Sequence, residues 1–389
     1  MMTRSSRLVL VGGGHSHIEV LRRLALRPLP ELDVTLISPS PLVANSAMIA
    51  GLVAGHYSTE EAHIDLPPLA QWAGARFVRD SVAGLDLYSK TLALTDGDIE
   101  PFDLLSIDIG STPDAGQVPG AREHTVAIRP AATFLAAWDA LRADAASGAV
   151  NTIAVVGGGA SGVELLLAMQ HRMRSDLGDS APRFALITDQ TQLLPDHAPA
   201  VRARFGKLLV ARGVVLHLNS GAIAVEPGTV ITTHQRRIAV DRIVWATTAG
   251  SQRWPAAAGL DCDAQGFIRI DNALRSISHH FVFAAGDCAT QVGHRRSKSS
   301  VFAIRQGPPL AANLRHVLRR ETLVSYVPRR PALSLIATGP QRAIASRAPF
   351  TVEGEWVWRW KHRSERAYMA QYARPAAAAL HPPRGRGIE

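Results

Sequence analysis

Cysteine is nearly missing from this chain of 389 residues: Cys262 and Cys288 are the whole supply. Two thiols build no disulfide framework. No CxxC or CxxxxC pair exists to relay electrons, and ligation of zinc or an iron–sulfur cluster by four thiolates is excluded by count. Long apolar runs are missing as well. Hydrophobic residues make up 47% of the chain, which suits a globular protein, but the longest apolar stretches are strand-sized, short of the roughly 18 residues of a membrane span. The start, MMTRSSRLVLVGGG, is basic, yet its apolar segment is too short for a secretory signal, so a cytoplasmic location is expected. Lysine is scarce, with Lys90, Lys207, Lys298 and Lys361 alone, so arginine carries most of the positive charge behind a net +9. From position 329 onward eleven Lys/Arg face four Asp/Glu. That reads either as an arginine-rich bias or as a basic face for an anionic membrane or an acidic partner. No recognised nucleic-acid module appears, so nucleic acid is not an expected partner.

What the chain does have is glycine at the ends of apolar runs. Ile153 to Val156 enters Gly157-x-Gly159-x-x-Gly162, and a helical pattern, Val163 to Met173, follows. Strand, tight turn and helix in that order form a dinucleotide cradle. The first glycine permits the turn, the second lets a pyrophosphate approach the backbone, and the third lets helix and strand pack closely. The free N–H groups at the helix start face the phosphates.

A near-copy lies 145 residues upstream. Arg7 to Val11 runs into Gly12-Gly13-Gly14-His15-Ser16-His17, then a helical stretch ended by Pro28. Gly12 and Gly14 are in place, but His17 stands where the third glycine belongs and must push helix and strand apart or point aside. His15 and His17 read first as turn and helix-start residues; a place beside the cofactor is the second reading, and His15 is a candidate on that ground. An acid usually ends the second strand of such a unit and grips a ribose. Here Ser38 ends the strand Asp33 to Ile37, while in the second unit the acid comes one place late, as Asp189. With no arginine next to Asp189, NADH is favoured over NADPH. Both halves also end a buried strand in glycine, at Gly110 and at Gly250, so the two halves read as one architecture used twice.

Phe281 to Asp287 is a strand running into a Gly286-Asp287 turn, where a carboxylate can accept hydrogen bonds from a polyol chain such as ribityl. The following helix, Val301 to Arg320, is expected to break near Gly307-Pro308-Pro309 and to aim its start at a flavin ring. In the tail, Leu333 to Ala337, Ala343 to Ala345 and Phe350 to Val352 read as strands and Glu353-Gly354 as a hairpin. Trp356, Trp358 and Trp360 would alternate on one strand face before a basic helix, Lys361 to Tyr372. That stripe reads as core or dimer contact first and as a membrane anchor second.

The expected fold is therefore α/β, two Rossmann-like domains with a small C-terminal α+β domain. Residues 1–115 and 271–328 form the first nucleotide domain, 116–270 the second and 329–374 an interface domain; 375–389 reads as a disordered tail.

With both turns and the Gly-Asp segment in view, the chain resembles the flavoproteins with two dinucleotide-binding domains. These include type II NADH dehydrogenases, sulfide:quinone oxidoreductases and ferredoxin reductases. GGGHSH, GHYSTEEAHIDLPPLA, SIDIGSTP, VVGGGASGVEL, FAAGDCA, AIRQGPPLAANL and WVWRWKHR most resemble the NADH-dehydrogenase-like module found fused ahead of selenide, water dikinase. The resemblance implies FAD on the first turn, with Gly12 and Gly14 at its pyrophosphate, Asp287 at the ribityl and Gln306 near the isoalloxazine. It implies NADH or NADPH on the second turn, at Gly157, Gly159 and Gly162, with Glu164 toward the nicotinamide. Two departures stand out. Phe302 replaces the first glutamine of the AQxxxQ-like quinone motif, and Cys262 and Cys288 do not match the placement of a sulfide oxidoreductase's redox pair. Three readings follow: an NAD(P)H dehydrogenase delivering electrons to a quinone-like acceptor at a membrane surface, a reductase for a small acidic electron-carrier protein, and a non-catalytic flavin-binding sensor or scaffold.

Overall fold

The computed structural model describes residues 5–373 apart from 114, 116–117, 248, 295–297, 329–332 and 348–349. In chain order the first unit contributes β1 (Ser6–Val11), α1 (His15–Leu26), β2 (Leu32–Ile37), β3 (Arg76–Val78) and β4 (Leu104–Ile107). The second contributes β5 (Val126–Ala127), β6 (Thr152–Val156), α2 (Ala160–Leu177), β7 (Arg183–Ile187), β8 (Val215–His217) and β9 (Arg242–Trp245). The chain then returns to the first unit with β10 (Val282–Ala284) and α3 (Ser300–Arg319). It ends with β11 (Ser334–Ala337), β12 (Ala343–Arg347), β13 (Phe350–Gly354) and α4 (Glu355–Ala370).

Two parallel sheets result, and their strand orders correspond. The first runs β10-β4-β1-β2-β3 and the second β5-β9-β6-β7-β8. In each, the strand feeding the glycine turn lies in the centre, and its apolar run is continuous because helices and loops cover both faces. Leu8 to Val11 and Ile153 to Val156 are all nearly inaccessible. Each unit also carries an antiparallel three-stranded meander, at 82–101 in the first and 222–239 in the second. The two glycine-ended exits meet: Thr112–Pro113 pairs antiparallel with Ala249–Gly250, and Thr112 Oγ1 donates to the Ser251 carbonyl at 3.2 Å. That crossing ties one nucleotide unit to the other.

Three expectations need correction. The helix α3 is not broken at Gly307-Pro308-Pro309 but runs through both prolines. The prolines remove two amide donors, yet the turn is held by close packing on α1, where a Cβ on Gly307 would come within 2.6 Å of the Glu19 side chain. Buried Leu310 and Leu314 extend that contact surface. The tryptophans lie on a helix rather than a strand. Helical spacing therefore turns Trp358 inward with Val357, against Ala343 and Ala345, and leaves Trp356 and Trp360 exposed one turn apart. Gly354 does not turn a hairpin; at φ +143° it joins β13 to α4, a backbone shape that suits glycine. The three C-terminal strands do form an antiparallel sheet, β11-β12-β13. The tail expected over 375–389 lies outside the described residues.

Candidate functional site

The second cradle matches the division of labour among its glycines. Gly157 adopts φ +131°, and a Cβ there would collide with the Ala246 carbonyl of the neighbouring strand exit. A Cβ on Gly162 would collide with the Gly157 carbonyl, so the third glycine is what lets α2 sit down on β6. Gly159 caps α2 with no side chain bonded to the helix start, and a Cβ there would meet nothing within 4 Å. The N–H groups of that end are thus approachable. On β9 and just past it, two buried polar atoms, Trp245 Nε1 and Thr247 Oγ1, have no partner among the described residues. Asp189 is exposed just past β7, within reach of the Thr188 hydroxyl at 3.4 Å. Gly250 belongs to the crossing between the units. This cradle fits a nicotinamide dinucleotide.

The first cradle is built differently. Gly12 takes φ +93°, where a Cβ would collide with the Asp108 backbone. His17 bridges from the start of α1 to the turn and to β4. Its Nδ1 donates to the Gly12 carbonyl at 2.6 Å, so its Nε2 accepts from the Ser106 hydroxyl at 2.8 Å. Burial lowers its pKa to about 4, so the ring stays neutral. His15 is likewise held down to about 4 by burial, and its Nδ1 lies 2.8 Å from the Tyr368 hydroxyl on α4. It fastens the C-terminal helix to the helix start. Ser38 is buried, and its hydroxyl donates to the Ser40 carbonyl at 3.0 Å. Gly110, at φ +69°, faces open space at the exit of β4.

The Gly-Asp turn closes this cradle from the other side. Gly286 N donates to Gln306 Oε1 at 2.8 Å, which leaves Gln306 Nε2 fully buried with no partner among the described residues. A buried amide N–H with no acceptor is costly, so this one is a natural donor to a bound group. Half-buried Asp287 lies 3.5 Å from the Ser111 hydroxyl. Cys288 is a thiol whose pKa burial pushes up to about 12; its Sγ donates to the Ala285 carbonyl at 3.1 Å. Both cysteines are free.

Asp108 was not foreseen as a site residue. It follows β4, is 2% exposed, and its carboxylate accepts from Ser16 N at 2.8 Å and His17 N at 3.3 Å. A Cβ on Gly14 would collide with it. The donors, the orphaned Gln306 amide and the open Gly110 exit fit FAD, with an anion already seated at the start of α1. The signal in the sequence was an acid directly after the buried strand, in FDLLSIDI.

Glu164 sits in the second turn of α2, but its partners are C-terminal. Its Oε1 accepts from Ala337 N at 2.7 Å and lies 3.7 Å from Lys361 Nζ. Burial raises its pKa, with Lys361 opposing. Lys361, 5% exposed on α4, also donates to the Ala47 carbonyl at 2.9 Å and lies 3.5 Å from Glu365. Asn45 Nδ2 donates to Glu365 at 3.0 Å. Next to them His362 Nδ1 lies 3.3 Å from the Tyr57 hydroxyl, with the two rings stacked. Sequence reading placed Lys361 in a basic helix without a role; its spacing from Val357 and Trp358 puts it on the buried face.

Two parallel sheets of the same strand order, each with its own glycine cradle and joined where their strands exit, define a two-dinucleotide oxidoreductase fold. The chain belongs to the pyridine nucleotide-disulphide oxidoreductase family, whose model matches residues 6–307. It is 26% identical to the NADH dehydrogenase-like protein YutJ of Bacillus subtilis, across 92% of this chain and 99% of that protein. It is also 26% identical to the type II NADH:quinone oxidoreductase of Haemophilus influenzae, across 59% of this chain and 53% of that one. Among solved structures, the sulfide:quinone oxidoreductase of Aquifex aeolicus superposes with a TM-score of 0.80 at 18% identity, over 94% of this chain and 91% of that one.

Proposed function

We propose that the chain is an FAD-dependent dehydrogenase that takes hydride from NADH or NADPH, NADH favoured, and passes the electrons to a quinone-like acceptor at a membrane surface. The carrying observation is the doubled cradle, with its two strand exits bonded together at Thr112–Pro113 and Ala249–Gly250. That crossing brings the two nucleotide units to a common seam, and alignment across such a seam is what hydride transfer requires of a protein. FAD would supply the two-electron acceptor chemistry when bound. Gly12, Gly14, Gly286, Asp287 and Gln306 would hold it; Gly157, Gly159 and Gly162 would receive the nicotinamide nucleotide. Glu164 with Lys361 would line the approach from the C-terminal segment, where a cation can steady negative charge on an acceptor oxygen. The relatives named for NADH dehydrogenase and NADH:quinone activity support this reading.

The membrane surface is favoured over an acidic carrier protein by what α4 exposes. Trp356 is 54% exposed and Trp360 43%, while Phe350 on the adjoining β13 is 75% exposed. Much of the basic charge is already paired: Arg359 with Glu355 at 2.5 Å and Arg366 with Glu61. Exposed aromatic side chains beside cations suit a lipid headgroup layer. Among the described residues no helix is long and apolar enough to cross a membrane, so contact through this face would be peripheral.

The test is the visible spectrum of the purified protein, then anaerobic titration with each reduced nicotinamide and turnover with a soluble quinone or a ferredoxin-like carrier. A yellow protein bleached by NADH and turning over with quinone is expected. A colourless protein that takes up no FAD would refute the proposal; flavin that resists both nicotinamides would favour the sensor reading.

A further inference from the structure

Asp108 is an acid where the fold has least room for one. Its carboxylate is wedged between the turn after β1 and the Gly-Asp turn after β10, since a Cβ on either Gly14 or Gly286 would collide with it. These segments are the two walls of the proposed FAD cradle. Its bonds from Ser16 N and His17 N use the N–H groups at the start of α1, the donors that a dinucleotide pyrophosphate ordinarily engages. On the far wall, buried Gln306 Nε2 has a proton to give and no acceptor among the described residues. The pocket is thus furnished with donors for a ligand anion while one fixed anion already occupies its floor.

Two anions cannot share one helix end without loss, whereas a carboxylic acid can. As a neutral acid, Asp108 keeps one oxygen for Ser16 N and offers an O–H to a phosphate oxygen. Resting on the FAD reading above, we propose that Asp108 makes cofactor uptake proton-coupled: apoprotein with ionised Asp108, FAD and one proton give holoprotein with neutral Asp108. It is a positioning residue for the pyrophosphate and sets the pH range over which the flavin is held.

The neighbours leave Asp108 as the group that titrates. On α1, His15 and His17 are held down to about 4 by burial and stay neutral above that. Glu19, further along α1, is ion-paired with Arg22 and Arg23. On the Gly-Asp turn, Cys288 is pushed up to about 12 by burial, and Asp287 is a second carboxylate that disfavours ionisation of Asp108. From α4 comes Tyr368, its hydroxyl pKa raised by burial. Lys298 Nζ is spent on the Ala289 carbonyl and the Thr290 hydroxyl. Burial pushes Asp108 itself up to about 7.

The experiment is FAD titration of apoprotein from pH 6 to 9 by flavin fluorescence, with calorimetry in two buffers of different ionisation heat. Expected is a plateau below about pH 7, then a fall of about tenfold in affinity per pH unit above it, with close to one proton taken up at pH 8. Asp108→Asn, whose amide imitates the neutral acid, should bind FAD with a flat profile and more tightly than wild type at pH 9. Asp287→Asn should keep the slope. A flat wild-type profile without proton uptake overturns the proposal and leaves the oxidoreductase reading intact. A slope that survives in Asp108→Asn overturns it too. If that variant fails to fold, the wild-type calorimetry decides alone. Folded apoprotein that binds no FAD at any pH overturns both readings.

Discussion

Lys361 Nζ lies 3.7 Å from Glu164 Oε1, so a residue of the last helix is ion-paired to the helix that opens on the second nucleotide turn. The same ammonium donates to Ala47 O and faces Glu365. Three segments distant in sequence are thereby fastened at one point with 5% exposure. Removing one member of a buried ion pair costs about 3–5 kcal/mol, because the partner charge is left without compensation. Lys361→Met is therefore expected to lower the unfolding midpoint clearly and to depress NADH oxidation. Glu164→Gln, which still accepts from Ala337 N, should be milder in stability. Urea denaturation of both variants beside steady-state rates checks this; a Lys361→Met protein as stable and active as wild type would remove the pair from any role.

The architecture was legible because the two glycine turns carry period and spacing together. Apolar runs of strand length ending in Gly157 or Gly12 can hardly be read otherwise, and the structure sets both turns at equivalent places in matching sheets. The tryptophan segment was misread because Trp356, Trp358 and Trp360 alternate, and alternation is the mark of a strand. Tertiary packing of Val357 and Trp358 on the small sheet decided for a helix. The site was legible where backbone geometry demands glycine and, through the resemblance, at Asp287 and Gln306. Asp108 and Lys361 escaped because their partners are 92 and 197 positions away, at Ser16 and Glu164, and local patterning cannot register such distances.

The buried acid and the buried histidines pull stability in opposite directions. His15 and His17 fall from 6.5 to about 4 on folding. The unfolded chain therefore binds up to two more protons in that window, and stability drops on acidification through it. Asp108 rises from 3.8 to about 7, so the folded chain binds one more proton and stability drops as pH rises through that range. Burial raises Glu164 too, but it also lowers His171, His197 and His217, so the histidines outnumber the acids. Apoprotein stability should rise from about pH 4 to 6.5, then slip slightly toward 7. Asp108→Asn should steepen the acid limb and raise stability at pH 8. Urea midpoints at three pH values test the signs.

Cys288 is expected to be chemically silent. Its thiol is buried beside the Gly-Asp turn, donates to Ala285 O at 3.1 Å and has its pKa pushed up to about 12. A thiol rather than a thiolate neither attacks nor oxidises readily. Native protein should react with a thiol reagent far more slowly than urea-unfolded protein, and Cys288→Ala should keep turnover within about twofold, since the proposed chemistry needs no thiolate. Rapid labelling of Cys288 in the native state, or loss of turnover in the variant, would require a covalent role.

The exposed face of α4 gives a prediction that separates a membrane surface from an acidic protein. Trp356 and Trp360 share one side of the helix, and both rings are half or nearly half exposed. Neither contributes to the packing of Trp358 and Val357 on the small sheet. Replacing both by Ala should leave the unfolding free energy within about 0.5 kcal/mol of wild type, as for surface positions generally. Buried indoles bring large apolar area to an interface, so the same change should weaken co-sedimentation with anionic liposomes at least tenfold. If the aromatics do the holding, raising salt from low to physiological strength should reduce wild-type binding only partly, because screening acts on charge and not on apolar burial. Binding abolished by salt and indifferent to the double substitution would instead assign the face to the arginines and reopen the acidic-carrier reading.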